Sequence, residues 1–217
     1  MIRIRNLCKA YHLRGQTKVV ADNINVDFEA GKVIGLLGRN GAGKSSLMRM
    51  VAGTMRHDSG TIEIDGTVSW PVGFSGSFHA DLTGAQNTKF LARIYGIDTD
   101  ELRAYVEEFA ELGQHFHMPV RTYSSGMKSR LAFGVSMGIK FDVYLVDEVT
   151  SVGDASFRKK SMAVFRDRME SSGALLVTHN LRVITNVCDA ACILEDGKLT
   201  YYEDVTEAVE VHRQIAN

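Results

Sequence analysis

The stretch GRNGAGKS, residues 38–45, fits the pattern G-x-x-x-x-G-K-[ST] at every fixed position. It lies between a strand-like apolar run, VIGLL, and a helix-like run, SSLMRM, which is the context that a phosphate-binding loop requires. In such a loop the glycines let the backbone approach phosphate groups, and the following helix start adds the positive end of its dipole. The pattern therefore predicts a nucleotide-binding loop followed by a helix.

The polar residues of this loop have separate chemical roles. Lys44 supplies a positive charge for the β- and γ-phosphates, and Ser45 offers a hydroxyl group to Mg²⁺. The alternative is an accidental match, which ordinary residue frequencies give in about one chain of this length in a hundred; the flanking strand and helix patterns argue against it. The predicted nucleotide-binding residues of the loop are Gly38, Arg39, Asn40, Gly41, Ala42, Gly43, Lys44, Ser45 and Ser46.

The composition is that of an ordinary globular protein. The 217 residues are 45% apolar and 24% charged, which is enough for one sizeable core. The formal charge of −1 gives no reason to predict a nucleic-acid partner, which usually needs a basic face. No apolar run approaches the roughly 18–20 residues of a membrane span, and the N-terminal stretch lacks the apolar core of a signal peptide. We expect a chain that touches a membrane only through a partner.

The three cysteines, Cys8, Cys188 and Cys192, are too sparse and odd in number for a disulfide framework. They fit reduced thiols in the cytoplasm. Cys188 and Cys192 are four residues apart and could form a metal pair, but no second pair or histidine cluster completes a tetrahedral site.

Periodicity indicates the fold class. Alternating apolar residues predict strands in IRIRNL, NINVDF and GTIEIDG, and helical spacing predicts helices in DELRAYVEEFAELG and MKSRLAFGVSMGI. Strands return in DVYLVDE, GALLVTH and DAACILEDG, alternating with helical stretches near residues 155–170 and 204–215. This alternation favours a parallel α/β sheet. We predict a core lobe of residues 1–79 and 139–217, with a helical lobe of about residues 80–138 inserted.

The run VYLVDE, residues 143–148, places Asp147 at the C-terminal end of a buried strand, where ligand sites of α/β sheets lie. Asp147 can hold Mg²⁺, and Glu148 can accept a proton from an attacking water molecule. Alone, an apolar run ending in Asp-Glu usually marks a strand meeting solvent. Downstream of a phosphate loop, the pair predicts hydrolysis of a phosphoanhydride.

The stretch YSSGM, residues 123–127, precedes an apolar-periodic segment. Its Ser and Gly residues are typical of a turn that caps a helix. The sharper hypothesis is that Ser124 and Gly126 touch a nucleotide bound to another molecule. The stretch by itself leaves both interpretations open.

Taken together, these residues resemble the nucleotide-binding domain of ABC transporters over nearly the whole chain. The resemblance is carried by the phosphate loop, VYLVDE, SVGD at 151–154 and VTH at 177–179. It implies an α/β fold with a P-loop NTPase core of ABC ATPase type, an antiparallel β subdomain and an inserted helical subdomain, forming a single ABC ATPase domain over residues 1–217. It also implies ATP hydrolysis with ATP and Mg²⁺ as cofactors.

The same resemblance implies roles for further residues. Glu148 and His179 are catalytic, and His179 contacts the γ-phosphate and attacking water. Tyr11 stacks on adenine, although an aromatic residue of the core at a strand end is an equally good interpretation. YSSGM matches the family's Leu-Ser-Gly-Gly-Gln signature at Ser124 and Gly126 and departs from it at Tyr123, Ser125 and Met127. The residues implied to act in trans or in the D-loop are Ser124, Ser125, Gly126, Ser151, Gly153 and Asp154.

One departure from the family is larger. The stretch VSWPVGFSGSFHADLTGAQN contains no glutamine before Gln86, where the family usually has one joining the two lobes. The contact made by that glutamine is therefore unassigned.

The sequences WPVGFSGSFHADLTGAQN and VDEVTSVGDASFRKK resemble ATPases of bacterial capsule polysaccharide export. The wider group includes O-antigen and teichoic acid exporters, several with a C-terminal extension, and this chain ends soon after its α/β core, which favours the compact capsule type. The resemblance implies a head-to-tail homodimer, integral-membrane permease subunits that contact the polysaccharide, and a peripheral position on the cytoplasmic face of the bacterial inner membrane. Residues around Phe74 to Leu82 are the candidate permease contact.

Three alternative functions are considered beside capsule polysaccharide export. The chain could serve another exporter or an importer. A non-transport ABC ATPase of DNA repair or translation usually has a long coiled coil between the two ATP motifs, for which the interval from Lys44 to Asp147 leaves no room. A small-molecule P-loop kinase would not explain SVGD or His179.

Overall fold

The computed structural model describes residues 1–13, 15–72, 78–147 and 154–216. Contacts divide the chain into two units. The first holds the described residues within 1–71, 141–148 and 169–217, and the second holds those within 72–140 and 149–168.

In chain order the elements are β1 (Ile2–Leu13), β2 (Gln16–Phe28), β3 (Val33–Leu37), α1 (Lys44–Val51), β4 (Ser59–Ile64), β5 (Val68–Val72), α2 (Gly84–Ile94), α3 (Thr99–Ala110), α4 (Ser125–Gly138), β6 (Val143–Asp147), α5 (Ala155–Met169), β7 (Gly173–Val177), α6 (Leu181–Val187), β8 (Ala190–Glu195), β9 (Lys198–Tyr202) and α7 (Val205–Ala216).

The first unit contains a three-stranded antiparallel sheet in the order β2-β1-β4. Buried and exposed residues alternate along β1, as the sequence predicts. Ile2 and Ile4 are buried, while Arg5 faces outward and forms an ion pair with Asp27 at 2.7 Å. The ladder shifts register between the pairs Lys9↔Ala21 and Ala10↔Val19. The predicted antiparallel subdomain is confirmed.

A six-stranded sheet, ordered β5-β6-β7-β3-β8-β9, forms the core of this unit. Strands β6, β7, β3 and β8 run parallel, and β9 returns antiparallel to β8. All residues of β3 and β7 are buried, which explains why VIGLL and GALLV are continuous apolar runs rather than alternating ones. The predicted parallel α/β core is confirmed.

The second unit is built from helices. Leu102, Val106 and Phe109 are buried on α3, as their spacing predicts. Phe109 stacks on Phe133 of α4 at 5.7 Å between ring centroids and meets Phe157 of α5 edge-on at 5.3 Å. The structure groups α5 up to residue 168 with these helices, whereas the sequence places the lobe at about 80–138. This aromatic packing is the physical reason for the difference.

The three cysteines are free thiols. Burial raises the pKa of Cys188 and of Cys192 to about 12. Both therefore behave as small protonated core residues.

Among the described residues, no helix combines the length and apolar character needed to cross a membrane.

Asp142 fastens the start of β6 to the chain before β5. Its Oδ2 accepts hydrogen bonds from the Thr67 amide at 2.7 Å and the Thr67 hydroxyl at 2.8 Å, and these bonds lower the pKa of Asp142 below its ordinary 3.8. A carboxyl group whose pKa is lower in the folded protein than in the unfolded chain stabilises the fold. This stabilisation is fully present above the pKa of the unfolded chain, and it is lost as the pH falls through the pKa of the folded protein. We expect Asp142→Ala to lower the free energy of unfolding by about 1 kcal/mol at pH 7.

Urea denaturation at pH 7 and at pH 3 measures this contribution. The difference between wild type and variant should shrink at pH 3, because this pH lies below the ordinary carboxyl pKa of 3.8 and Asp142 of the unfolded chain is then mostly protonated. A difference of equal size at both pH values would show that the charge on Asp142 contributes nothing.

Candidate nucleotide-binding site

The phosphate loop connects β3 to α1 and depends on glycine at two points. Gly38 and Gly43 have φ values of 146° and 111°, a region that residues with a side chain rarely adopt. A Cβ atom would lie 2.4 Å from the Leu194 carbonyl oxygen at Gly38 and 2.8 Å from the Val20 Cβ at Gly43. The loop is therefore held tightly against its neighbours and leaves its concave side to backbone atoms.

The start of α1 suits an anion. Gly43 is the N-cap residue and provides no side-chain cap, and the first turn contains no acidic residue. The first N–H groups of a helix have no intrahelical acceptor, and the helix dipole is positive there. Lys44 Nζ donates to the carbonyl oxygens of Gly38 at 2.7 Å and Arg39 at 3.0 Å. This cradle of positive groups and glycine backbone fits a phosphate chain.

Three parallel strands bring the other site residues to the edge of the sheet where this loop lies. Strands β6, β7 and β3 are neighbours, so their C-terminal ends meet at one edge. Asp147 ends β6 and pairs in register with Val177 of β7. His179 is exposed two residues beyond Val177. The predicted catalytic histidine and metal carboxylate thus share an edge with the phosphate loop.

Ser45 and Asp147 lie close enough to be ligands of one cation. The Ser45 hydroxyl donates to Asp147 Oδ2 over a long contact of 3.4 Å. Mg²⁺ prefers oxygen ligands at about 2.0–2.1 Å and completes its shell with water and substrate phosphates. Within the described ranges no group of three or more His, Cys, Asp or Glu residues could hold a metal. A hydroxyl and a single carboxylate suit an ion that takes its remaining ligands from a nucleotide.

Tyr11 lies at the surface beside the start of α1. Its side chain is 39% exposed, and its hydroxyl is 3.1 Å from both Ser46 Oγ and Met55 Sδ. The alternative of an aromatic residue in the core is therefore not what the structure shows. The Lys9 ammonium lies over the ring at 5.7 Å from its centroid, and the exposed part of the ring lies next to the start of α1.

In the second unit, YSSGM begins α4. Ser124 is the N-cap residue and accepts a hydrogen bond from the Met127 amide at 3.2 Å, so the predicted helix cap is confirmed. Ser124, Ser125 and Gly126 line an open cavity of about 740 Å³. Among the described residues, a Cβ atom at Gly126 would meet Ser124 Oγ alone, at 3.9 Å. The helix start therefore faces open space.

Two departures from the family signature have a structural explanation. Tyr123, in place of leucine, is buried, and its hydroxyl donates to the His115 carbonyl oxygen at 2.6 Å. Ser125, in place of glycine, is exposed. Tyr123 thus anchors the stretch in the core, and the exposed Ser125 does not disturb the packing of the described residues.

Arg130 is a charged residue of the same cavity that the sequence analysis missed. Its guanidinium lies 2.6 Å from Asp154 and 4.5 Å above the Phe157 ring. Asp154 also accepts a hydrogen bond from the Phe157 amide at 2.9 Å, and this bond, with the charge of Arg130, lowers the pKa of Asp154. In the sequence, the only available signal was a basic residue six positions after Ser124, which also fits a solvated helix face.

Several predicted residues lie outside the described ranges. They are the candidate base Glu148, the D-loop residues Ser151 and Gly153, and residues 74–77 of the candidate permease contact. The structure gives no position for these residues.

Comparison with known proteins agrees with the geometry. Residues 21–151 match the family model described as ABC transporter. The chain is 46% identical to the polysialic acid transport ATP-binding protein KpsT of Escherichia coli, covering 98% of this chain and 96% of the relative. It is 41% identical to the capsule polysaccharide export ATP-binding protein CtrD of Neisseria meningitidis serogroup B, covering 99% of this chain and 100% of the relative.

The fold has solved counterparts. A structure of the ATP-binding cassette MJ0796, a post-hydrolysis dimer bound to ADP and Pi, superposes with a TM-score of 0.81 at 19% identity, covering 94% of this chain and 99% of that one. The predicted ABC ATPase fold and the resemblance to capsule-export ATPases are confirmed. The chain belongs to the ABC transporter family.

Proposed function

We propose that this chain is the ATP-hydrolysing subunit of an exporter that moves capsular polysaccharide across the bacterial inner membrane. The observation that carries the proposal is identity of 41–46% along almost the whole chain to proteins named for polysialic acid transport and capsule polysaccharide export. The cluster of phosphate loop, Asp147 and His179 at one sheet edge supports the ATPase half of the proposal.

Nucleotide binding is assigned to the first unit. Residues 38–46 cradle the phosphates, Lys44 neutralises their charge, and Tyr11 stacks on adenine. Ser45 and Asp147 hold Mg²⁺, which supplies further neutralisation of the charge on the phosphates. The 3.4 Å contact between these two side chains supports the assignment.

Hydrolysis needs a positioned water molecule and a group that takes its proton. Glu148 directly follows Asp147 in the chain and serves as the base. His179 orients the water and contacts the γ-phosphate. Its exposed position beyond β7 supports this role.

The site is completed by a second copy of the chain. Ser124, Ser125 and Gly126 of one copy meet the ATP held by the phosphate loop of the other, and Ser151, Gly153 and Asp154 lie at the same junction. ATP then favours the closed dimer because only that state makes both sets of contacts, and hydrolysis releases it. The open cavity before α4 supports the proposal.

Coupling to transport requires membrane partners. Integral-membrane permease subunits dock near residues 74–82, of which 74–77 lie outside the described ranges, and contact the polysaccharide themselves. The chain then works at the cytoplasmic face of the inner membrane as a peripheral subunit.

Complementation of a gene deletion tests the function. Deletion should leave polysaccharide inside the cell, and wild type should restore it to the surface. Glu148→Gln should fail to restore it, because the base is lost while ATP is still bound, whereas Glu170→Gln, at an exposed residue outside the site, should succeed. Surface and intracellular polysaccharide are quantified by immunoassay and chromatography. Normal export in the deletion strain would refute the transport role, and full rescue by Glu148→Gln would refute its role as the base.

A further inference from the structure

We propose that Lys18 is a second lysine of the nucleotide site and binds the phosphate chain of ATP beside the phosphate loop. The inference rests on the proposed function, since it assigns a new contact within the same site. Lys18 lies in β2, outside the stretch of residues 38–46.

Strand β2 runs directly along the phosphate loop. Val20 is buried, and its Cβ lies 2.8 Å from the position a Cβ would take at Gly43. Lys18 Nζ lies 3.2 Å from the corresponding position at Gly41. The register shift of the ladder between Ala21 and Val19 includes Val20, and such bulges redirect side chains next to binding sites. The ammonium group of Lys18 is thereby brought against the backbone of the loop.

The Lys18 ammonium has no partner among the residues that the structure describes. Lys18 is exposed, and it forms no hydrogen bond or ion pair with any residue that the structure describes. By contrast, Lys9 on the neighbouring strand is paired with Asp58 at 2.7 Å. The Lys18 ammonium lies against Gly41, which comes three residues before Lys44 and the positive end of α1 in the chain, and positive groups around one loop suit a bound anion. A polyphosphate supplies that anion.

The position of Lys18 along the strand indicates which part of the nucleotide it meets. Lys18 lies directly opposite Tyr11 in the β1–β2 ladder, and directly opposed residues project from the same face of a sheet. Tyr11 is the proposed adenine platform, and Gly41 belongs to the phosphate cradle. Lys18 therefore lies between the two and is assigned to the phosphate chain rather than to the base.

Calorimetric titration with ATP, ADP and adenosine tests the assignment. We expect Lys18→Met to weaken ATP binding by about two- to fivefold, the range for an exposed charge contact, and Lys18→Arg to retain it. Adenosine affinity should not change. The loss for ATP should diminish at high salt, because exposed charges are screened. Lys32→Met is the matched control, since Lys32 precedes β3 at the opposite end from the loop, and it should bind as wild type does.

Three outcomes would overturn the proposal. Wild-type ATP affinity in Lys18→Met would show that the lysine makes no contact. An equal loss for adenosine would place Lys18 at the nucleoside. Failure of wild type itself to bind ATP would refute both this proposal and the proposed function. If wild type binds ATP, Lys44→Ala does not and Lys18→Met is normal, the proposed function stands and the Lys18 assignment alone fails.

Discussion

Lys44→Ala is expected to weaken ATP binding by roughly 30- to 150-fold, which corresponds to about 2–3 kcal/mol for a lost charged hydrogen-bond donor. In the structure the Lys44 ammonium lies within bonding distance of the Gly38 and Arg39 carbonyl oxygens. Removing it deletes the charge opposite the β- and γ-phosphates and the hydrogen bonds that it donates to these two carbonyl oxygens. Binding is measured by calorimetric titration with ATP in the presence of Mg²⁺.

Thermal unfolding separates this effect from damage to the fold. A ligand that binds only the folded state stabilises it in proportion to the logarithm of its concentration over its dissociation constant. Wild type and Lys44→Ala should melt at similar temperatures without nucleotide, and ATP at millimolar concentration should raise the melting temperature of wild type much more. Lys32→Met should respond as wild type does. Equal ATP affinity in wild type and Lys44→Ala would show that residues 38–45 do not bind its phosphates.

The parts of the fold that follow from local patterns were predictable. The phosphate loop has fixed spacing, because its glycines adopt φ values that residues with a side chain rarely adopt, as Gly38 and Gly43 show. Strands β3 and β7 are continuous apolar runs because both faces are buried. The meeting of Asp147 with the loop also follows from the rule that ligand sites form at the C-terminal edge of parallel strands.

Contacts between distant segments could not be predicted in the same way. Lys18 reaches Gly41 only because β2 lies along the phosphate loop with a register shift at Val20, and neither feature has a local signature. Arg130 meets Asp154 across 24 residues of sequence. α5 joins the helical unit through ring packing between Phe157 and Phe109. Each of these contacts depends on tertiary packing, which overrides local preference.

Gly126→Asp is expected to abolish ATP-driven dimerisation while leaving the single chain folded. In the part of the chain that the structure describes, a Cβ at this position meets Ser124 Oγ alone, at 3.9 Å, and a carboxylate in the first turn of α4 interacts favourably with the helix dipole. In the proposed dimer the same carboxylate faces the phosphates bound by the other copy, and like charges placed opposite each other cost several kcal/mol. ATP hydrolysis should fall by about two orders of magnitude or more.

The measurement uses Glu148→Gln as background, because a chain that binds ATP without hydrolysing it should accumulate as the dimer. Light scattering after gel filtration with ATP should give a dimer for Glu148→Gln and a monomer for Gly126→Asp with Glu148→Gln. The ATP affinity of the single chain should be the same in both variants, since the phosphate loop belongs to the first unit and Gly126 to the second.

Gln114→Glu is the matched control, because it adds the same charge at an exposed position of the second unit, and it should leave the dimer intact. Ser125→Gly, which restores the family's glycine, should also dimerise, because Ser125 is exposed and crowds nothing within its own chain. A stable ATP-bound dimer despite Gly126→Asp would mean that YSSGM caps α4 and does nothing more, since a carboxylate against a bound triphosphate cannot be accommodated without loss of affinity.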